Sequence, residues 1–393
     1  MEETERRKEA VRRYLAGEHA GLICEELGRS ERWLYKWLQR FRNNENDWAE
    51  SQSRAPNNVP HKTDSAIEKI IIDTRKKLEN QKYAQVGSMA ILWELKNLNL
   101  DYDLPSTRTI ERILHRNNLT EASESYEPKG TDYPSVSANC AHKIQQADFV
   151  GPRYIEGDGR FYCLNLIDCC TRVVTINPSR SKKNSNVTSA LLSSWKSIPA
   201  PDYLQLDNAL CFRGSNRYPR SFGLVIRLCL HLGITPVFIP PQEPWRNGVI
   251  ERFQGTFEKL FFRSQKFDNF DHLQNEASVF ETFHNQNHRY GVCQGMTPVE
   301  LEKKYPSNQN PLPGDFDLPD KLFIEPGEIH LVRFIRSDQK LDVFGIDFSM
   351  PDSLMYEYVK AVIDTGSQSM TVFHDNESIQ TFPFEVSQRP MKL

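Results

Sequence analysis

The sequence predicts a multidomain α+β protein, and three changes of pattern along its 393 residues carry that prediction. Helical spacing dominates the N-terminal part, short apolar strands alternate with helices in the middle, and apolar and polar residues alternate near the C-terminal end. We therefore expect N-terminal helix-turn-helix units, an α/β core with a mixed sheet and a small antiparallel β-barrel. The expected segments are a helix-turn-helix unit at 1–45, a linker at 46–63, a second helix-turn-helix unit at 64–120, a linker at 121–140, the core at 141–305 and the barrel at 312–393.

Composition places the chain among globular proteins, with 38% hydrophobic and 26% charged residues. The sequence has no apolar run of about 18 residues, which a transmembrane helix needs, and its charged N-terminus does not resemble a secretory signal. The eight cysteines form no Cys-x-x-Cys pair, so we expect reduced thiols in a cytoplasmic protein. The net charge of −3 counts mildly against nucleic-acid binding but does not exclude it, because local basic faces bind phosphate.

The first predicted helix-turn-helix unit consists of three short helices. Gly28 marks the turn before the third helix, and Ser30 is a suitable N-cap for it. Trp33, Leu34 and Trp37 then follow at helical spacing. The candidate DNA contacts on this helix are Arg32, Lys36 and Arg40.

A second unit of the same kind is predicted from helices at 64–80, 88–98 and 107–119. Ser106 would cap its last helix, whose outer face is basic. The candidate DNA contacts there are Arg108, Arg112 and Arg116. Each unit could instead be a plain helical packing unit, but two such units that both end in a basic helix favour DNA binding.

The middle of the chain predicts a mixed sheet with helices, and the C-terminal part predicts further strands. The core strands are expected at 146–150, 161–167, 172–176, 203–207 and 235–239, and the core helices at 186–196, 224–232 and 249–262. The barrel strands are expected at 329–335, 341–348, 356–364 and 370–374.

Three acidic residues stand where an active site would need them. Asp148 interrupts an apolar strand, Asp207 ends another strand, and Glu251 opens a helix behind a Pro- and Gly-containing loop. A carboxylate within a strand costs free energy unless a partner compensates it. A divalent cation is such a partner, since Mg²⁺ and Mn²⁺ prefer oxygen ligands. Three carboxylates from separate elements can hold two metal ions for phosphoryl transfer.

These acids and their neighbours resemble the catalytic core of retroviral-integrase-like DDE transposases from bacterial insertion sequences. The likeness lies in Gln-Ala-Asp148-Phe-Val-Gly, Leu-Asp207-Asn and Asn-Gly-Val-Ile-Glu251-Arg-Phe, and continues in the segments 167–172, 283–289 and 295–300. With the paired helix-turn-helix units and the predicted barrel, it covers nearly the whole chain. It implies an RNase H-like core, two Mg²⁺ or Mn²⁺ ions per active site, and catalytic and metal-binding roles for Asp148, Asp207 and Glu251.

The sequence departs from that family in two respects. Forty-three residues separate Asp207 from Glu251, more than is common in the family, and the common spacing would select Glu243. We favour Glu251 because it opens an amphipathic helix, whereas Glu243 lies in a proline-rich loop. Gly255 and Glu258 occupy the places of two lysines of the retroviral relatives, so DNA contacts must come from elsewhere. The further candidates are Arg213, Arg217, Arg220, Trp245, Arg246, Arg252 and Lys259.

Other polar residues are interpreted as structural. Asp168 is read as a turn residue, and His284 and His288, although spaced as a zinc pair would be, have no partner motif that completes a site.

The resulting functional hypothesis is a DNA transposase or integrase that cleaves transposon-end phosphodiesters and joins the 3′-OH ends to target DNA. The resemblance implies a homo-oligomer on DNA and a bacterial cytoplasmic protein that is nucleoid-associated when bound. Because the sequence has no long apolar run, we expect no membrane association. Two alternatives stay open. One is an RNase H-like nuclease without strand transfer, and the other is a DNA-binding regulatory protein with a non-catalytic core.

Overall fold

The turn between the second and third N-terminal helices lies at the residues that the capping pattern predicts. A computed structural model describes residues 3–43, 46–51, 63–98, 103–120, 133–215, 217–218 and 220–392, and the chain divides into the compact units Met1–Asp64 and Ser65–Leu393. In the first unit, Gly28 ends a helix at φ 62°, and the Ser30 hydroxyl accepts a hydrogen bond from Trp33 N at 3.3 Å. Its helices are α1 (Glu3–Leu15), α2 (Ala20–Leu27) and α3 (Glu31–Arg42), which pack around Ile23, Leu34 and Leu38.

The second unit starts with three helices that share a small apolar core. Ser106 caps the last of them by accepting from Thr109 N at 3.2 Å, as the sequence predicts. These helices are α4 (Ser65–Glu79), α5 (Ser88–Asn97) and α6 (Thr107–Arg116), and their core includes Ile71, Ile91, Leu95, Ile110 and Leu114.

Five strands form the centre of the second unit. They are β1 (Ile144–Ile155), β2 (Gly159–Asp168), β3 (Val174–Ser179), β4 (Tyr203–Leu206) and β5 (Thr235–Phe238). β1, β2 and β3 are antiparallel neighbours, β4 lies parallel to β1, and β5 lies parallel to β4. The order β3-β2-β1-β4-β5 with these directions is the RNase H-like arrangement, which confirms the predicted core fold.

Helices cover both faces of this sheet because the strands are apolar on both sides. Leu164 and Leu166 of β2 pack with Trp195 on one face, while Cys163 and Ile167 pack with a phenylalanine cluster on the other. The helices are α7 (Asn184–Ser197), α8 (Leu210–Arg213), α9 (Leu224–His231), α10 (Gly248–Phe257, followed by a π-helical turn), α11 (Phe270–Asn287) and α12 (Pro298–Lys304). No helix within the described ranges is both long and apolar enough to cross a membrane.

The C-terminal strands extend the core sheet, which corrects the predicted separate barrel. They are β6 (Lys321–Leu322), β7 (Glu328–Phe334), β8 (Lys340–Val343), β9 (Ile346–Ser349), β10 (Tyr358–Asp364), β11 (Ser369–His374), β12 (Glu377–Pro383) and β13 (Met391–Lys392). In the part of the chain that the structure describes, the main sheet has nine strands in the order β12-β11-β10-β7-β5-β4-β1-β2-β3 and does not close.

The physical reason for this difference is the choice of partner strand. β7 pairs in parallel with β5, with Val237 opposite His330, so its apolar residues join the core of the α/β domain. Alternation in a sequence shows which face of a strand is buried but not which strand lies beside it. The segment 341–348, predicted as one strand, is instead a hairpin, because Phe344 and Gly345 adopt φ angles of 55° and 90° between β8 and β9.

The edge strand β3 is covered by side chains of α11. Asn285 Oδ1 accepts from Val174 N and Asn285 Nδ2 donates to Val174 O, both at 2.9 Å, and a Glu281 carboxylate oxygen accepts from Ile176 N at 2.6 Å. These bonds replace those of a further strand and protect the edge from pairing with another chain. Burial raises the pKa of Glu281 to about 7, although the bond from Ile176 N acts in the opposite direction.

This raised pKa predicts a specific pH dependence of stability. The folded protein binds a proton at Glu281 more tightly than the unfolded chain, whose glutamate pKa is about 4.3. The stabilisation is therefore complete below pH ~4 and is lost as the pH rises through about 7, by at most about 4 kcal/mol. Glu281→Gln removes the titration and keeps an acceptor for Ile176 N.

We expect the difference in free energy of unfolding between Glu281→Gln and the wild type to grow in favour of the variant from pH 5 to pH 8. Urea denaturation at both pH values measures it. Asp271→Asn, an exposed site on the same helix, is the control and should leave the pH dependence unchanged. Parallel stability curves for Glu281→Gln and the wild type would contradict this account.

Candidate active site

Two neighbouring parallel strands carry Asp148 and Asp207 towards the same edge of the sheet. Gln146 of β1 lies opposite Gln205 of β4, so Asp148 lies two residues further along β1 and Asp207 comes directly after the end of β4. The carboxyl ends of parallel strands form the usual ligand-binding edge of such sheets. Both aspartates are half-buried, and the Asp207 carboxylate also accepts a hydrogen bond from Ala209 N at 2.9 Å.

The environment of Asp148 disfavours its charge. Burial raises the pKa of this carboxyl group and the charge of Asp207 raises it further, while hydrogen bonds and the positive charge of Lys182 lower it. The bonds come from Gln254 Nε2 at 3.0 Å and from Phe149 N at 2.7 Å. A carboxylate in this position would be stabilised by a cation shared with Asp207.

Helix α10, which carries Glu251, contacts Asp148 through Gln254. Ile250 and Phe253 are fully buried and anchor the helix on the sheet. Gln254, which contacts Asp148, lies one turn after Glu251, and residues three apart share a helix face. Glu251 is half-buried, and burial raises the pKa of its carboxyl group.

Glu243, the candidate that common family spacing would select, is engaged elsewhere. Both of its carboxylate oxygens accept from the Tyr358 hydroxyl at 2.9 and 2.8 Å, and one also accepts from Arg246 Nε at 3.0 Å. The Arg246 guanidinium lies 4.1 Å from the centre of the Tyr133 ring. This cluster uses both oxygens of Glu243 for structural contacts, which favours Glu251 as the third acid.

The donor set around Asp148 suits a hard divalent cation. Within the described ranges, no three His, Cys, Asp or Glu side chains lie close enough together to form a metal site. The available donors are nonetheless carboxylate oxygens, and burial raises the pKa of the Asp148 carboxyl group. Asn165, directly opposite Asp148 on β2, adds a fully buried amide whose oxygen and nitrogen have no hydrogen-bond partner among the residues described. Oxygen donors of this kind fit Mg²⁺ or Mn²⁺.

Two segments of the chain match known protein families. Residues 232–298 match the family described as "Integrase core domain", and residues 6–45 match "Helix-turn-helix domain". Residues 232–298 are thus similar to an integrase core domain. The predicted resemblance is thereby confirmed, as is the first helix-turn-helix unit. The integrase core match includes Glu243 and Glu251 but neither Asp148 nor Asp207.

Solved structures similar to this chain are retroviral integrases. The catalytic core domain of HTLV-2 integrase in complex with magnesium is 16% identical over 42% of this chain and 99% of its own, with a TM-score of 0.33. A simian T-cell lymphotropic virus intasome in complex with PP2A regulatory subunit B56 gamma is 15% identical over 76% of this chain and 95% of its own, with a TM-score of 0.38. The catalytic core domain of BIV integrase is 19% identical over 42% of this chain and 96% of its own, with a TM-score of 0.31. Likeness at this level identifies neither a substrate nor a partner.

The residues predicted to contact DNA differ in whether their side chains are exposed or bonded to other residues of the protein. On the two basic helices, Arg112 is exposed, whereas Arg116 forms a two-pronged ion pair with Glu68 and Arg40 donates to Glu50 O at 2.9 Å. Arg32, Lys36 and Arg108 are exposed as well.

In the integrase core, Arg213 donates to Asn208 O at 2.8 Å and Arg246 is paired with Glu243. Trp245 is 49% exposed. The remaining candidates lie at the surface and are Arg217, Arg220, Arg252 and Lys259.

The residues interpreted as structural have structural contacts. The buried Asp168 carboxylate accepts from His142 N, Thr171 N and the Thr171 hydroxyl, as expected of a turn residue. His284 and His288 are buried and stacked 4.4 Å apart, and burial lowers the pKa of both imidazoles.

Lys182 is a site residue that the sequence reading missed. Its ammonium lies 4.7 Å from the Phe149 ring centre and 5.2 Å from that of Tyr162, beside Asp148. The run Arg180-Ser-Lys182-Lys183, which precedes α7, was the available signal. Without knowledge of which strands lie adjacent, that run cannot be assigned to the acidic site.

The contact between Tyr358 and Glu243 generates a stability prediction. Tyr358→Phe removes the hydroxyl and leaves a shielded carboxylate with one donor fewer, so the free energy of unfolding should fall by about 1.5–3 kcal/mol. Tyr356→Phe is the control, because Tyr356 is 60% exposed and its loss of a hydroxyl should change little. Chemical denaturation of both variants measures the effect. Equal stabilities would show that Glu243 is not held in this cluster.

Proposed function

We propose that this protein is a DNA transposase or integrase of the DDE type, which cleaves phosphodiesters at transposon ends and joins the 3′-OH ends to target DNA. The supporting observation is the convergence of Asp148, Asp207 and the Glu251 helix at one sheet edge of a chain with an integrase core domain. A polynucleotidyl transferase needs carboxylates in such a position to hold its metal ions.

Asp148, Asp207 and Glu251 would hold two Mg²⁺ or Mn²⁺ ions, as proposed from the donor chemistry. Such ions lower the pKa of an attacking water or hydroxyl and stabilise the leaving oxygen. The protein's own part is placement. The sheet edge fixes the two aspartates side by side, α10 carries the third carboxylate, and Gln254 orients Asp148 through its hydrogen bond at 3.0 Å.

DNA is the proposed partner at several surfaces. The helix-turn-helix domain and the basic face of α6 would bind the transposon ends, and Lys182 supplies positive charge beside Asp148. Trp245, exposed in the loop before α10, has the surface for stacking on a base. Joining requires two ends held together, so we infer that the active species is a homo-oligomer.

The decisive experiment incubates the purified protein and Mn²⁺ with linear duplexes taken from the DNA that flanks its gene, together with a target plasmid. Nicks at defined ends and covalent joints to the plasmid are expected. Nicks without joints would indicate a nuclease, and binding without either product would indicate a regulatory protein. EDTA should abolish both products.

The third acid is tested by comparing two substitutions. Glu251→Gln should lower the yield of joined product by at least about 100-fold, more than the ~10–100-fold typical of lost outer-shell contacts. Glu243→Gln should retain most activity, because its contacts are structural. Joined product against Mn²⁺ concentration is the measurement. A fully active Glu251→Gln and an inactive Glu243→Gln would reverse the assignment.

The second helix-turn-helix unit is tested through salt dependence. Arg112 is exposed and should contact phosphate, so Arg112→Ala should reduce the slope of log affinity against log salt by about one. Arg116→Ala is the matched variant, since Arg116 is already paired with Glu68 and should change the slope less. Fluorescence anisotropy with a labelled flanking duplex measures both. An unchanged slope for Arg112→Ala would remove α6 from the DNA interface.

A further inference from the structure

Two glutamines on adjacent strands lie beneath the start of α10. Gln146 of β1 and Gln205 of β4 are register partners, so their side chains point to the same face of the sheet. Both are almost fully buried, at 5% and 6% exposure. A buried amide normally requires hydrogen-bond partners, and both glutamines find theirs in the segment that leads into Glu251.

Gln146 caps α10 from outside the helix. Its Oε1 accepts from Ile250 N at 2.9 Å, and Ile250 is the third residue of the helix. In most helices the N-cap side chain makes this bond. Here the N-cap residue Asn247 makes no capping bond, so the neighbouring strand supplies the acceptor.

Gln205 holds the turn that precedes the same helix. Its Nε2 donates to Asn247 Oδ1 at 2.8 Å and to Arg246 O at 3.0 Å. Asn247 is itself 3% exposed. The Asn247 side chain is thereby used as an acceptor for the sheet instead of as a cap.

The two glutamines therefore have opposite hydrogen-bonding roles. Gln146 provides an acceptor to the helix, and Gln205 provides a donor to the preceding turn. A shift of α10 by one residue along its axis would break all three bonds and leave buried polar groups unsatisfied, at a cost of about 1–3 kcal/mol each. The pair thus fixes the axial position of the helix just before Glu251.

We propose that Gln146 and Gln205 are positioning residues that set the place of the Glu251 carboxylate relative to Asp148 and Asp207. The inference rests on the proposed function of these acids. The glutamines themselves contact neither substrate nor metal, and act through the backbone and side chains of residues 246–250. A ligand must be held within about 0.5 Å of its productive position, and buried hydrogen bonds from a sheet can enforce this.

The test measures Mn²⁺ affinity of the purified full-length protein by isothermal titration calorimetry, without DNA. Gln146→Met and Gln205→Met keep the side-chain length and remove the hydrogen bonds, and each should weaken Mn²⁺ binding by about 10–100-fold. Gln145→Met is the matched control. Gln145 faces the opposite side of β1 and bonds Trp195 Nε1 at 3.0 Å, so its loss should lower stability and leave Mn²⁺ affinity unchanged.

Two variants that each add one negative charge test whether an acceptor or a donor is needed at each glutamine, and they guard against a folding defect. Gln146→Glu keeps an acceptor for Ile250 N and should bind Mn²⁺ like the wild type or better. Gln205→Glu replaces the donor by an acceptor facing Arg246 O and Asn247 Oδ1, so it should bind weakly. The double variant Gln146→Met/Glu251→Gln should bind no more weakly than Glu251→Gln alone, because Gln146 acts on Mn²⁺ binding only through the Glu251 carboxylate.

Hydrogen exchange of the metal-free protein adds a second readout. Amides 248–252 should exchange at least about 10-fold faster in both Met variants than in Gln145→Met. Faster exchange with wild-type Mn²⁺ affinity would make the glutamines structural only and overturn the inference. If the wild type does not bind Mn²⁺, or if Asp148→Asn does not weaken binding, the proposed function fails and the inference fails with it.

Discussion

The placement of a half-buried carboxylate on a central strand is the constraint on which this site depends. An ionised Asp148 would destabilise the folded protein without compensation, since burial and the charge of Asp207 both raise the pKa of its carboxyl group. The surrounding structure supplies two hydrogen bonds, a lysine held over aromatic rings, and a helix that carries a further acid. An arrangement that tolerates concentrated negative charge at one sheet edge is typical of sites built for cations.

Local features of the fold were predictable because they depend on neighbours in sequence. Gly28, Ser30 and Ser106 end or begin helices for reasons of backbone conformation and capping, and the structure has all three in those roles. The RNase H-like core was predicted by motif resemblance, and strand topology together with the integrase core match confirms it. The first helix-turn-helix unit likewise coincides with its family match.

The sequence could not indicate contacts between residues that are far apart along the chain. The C-terminal strands were predicted as strands, but their neighbours in the sheet were not. The alternation of apolar and polar residues does not indicate that β7 lies beside β5. The contact of Tyr358 with Glu243 spans 115 positions and favours Glu251 over the residue that spacing alone would select. Lys182, Asn165 and the glutamine pair belong to the site only through strand adjacency, which a list of spacings does not contain.

The position of β7 in the middle of the sheet has a consequence during synthesis on the ribosome. Phe238 meets its partner Leu331 only after more than ninety further residues have been made, which takes about 5–20 s at typical elongation rates. During that interval β5 is an open edge that another nascent chain could join. Pro236, which has no N–H to donate, lies in this four-residue strand and shortens the stretch that could act as a template. The sequence Thr-Pro-Val-Phe thus serves the folding chain as well as the finished sheet.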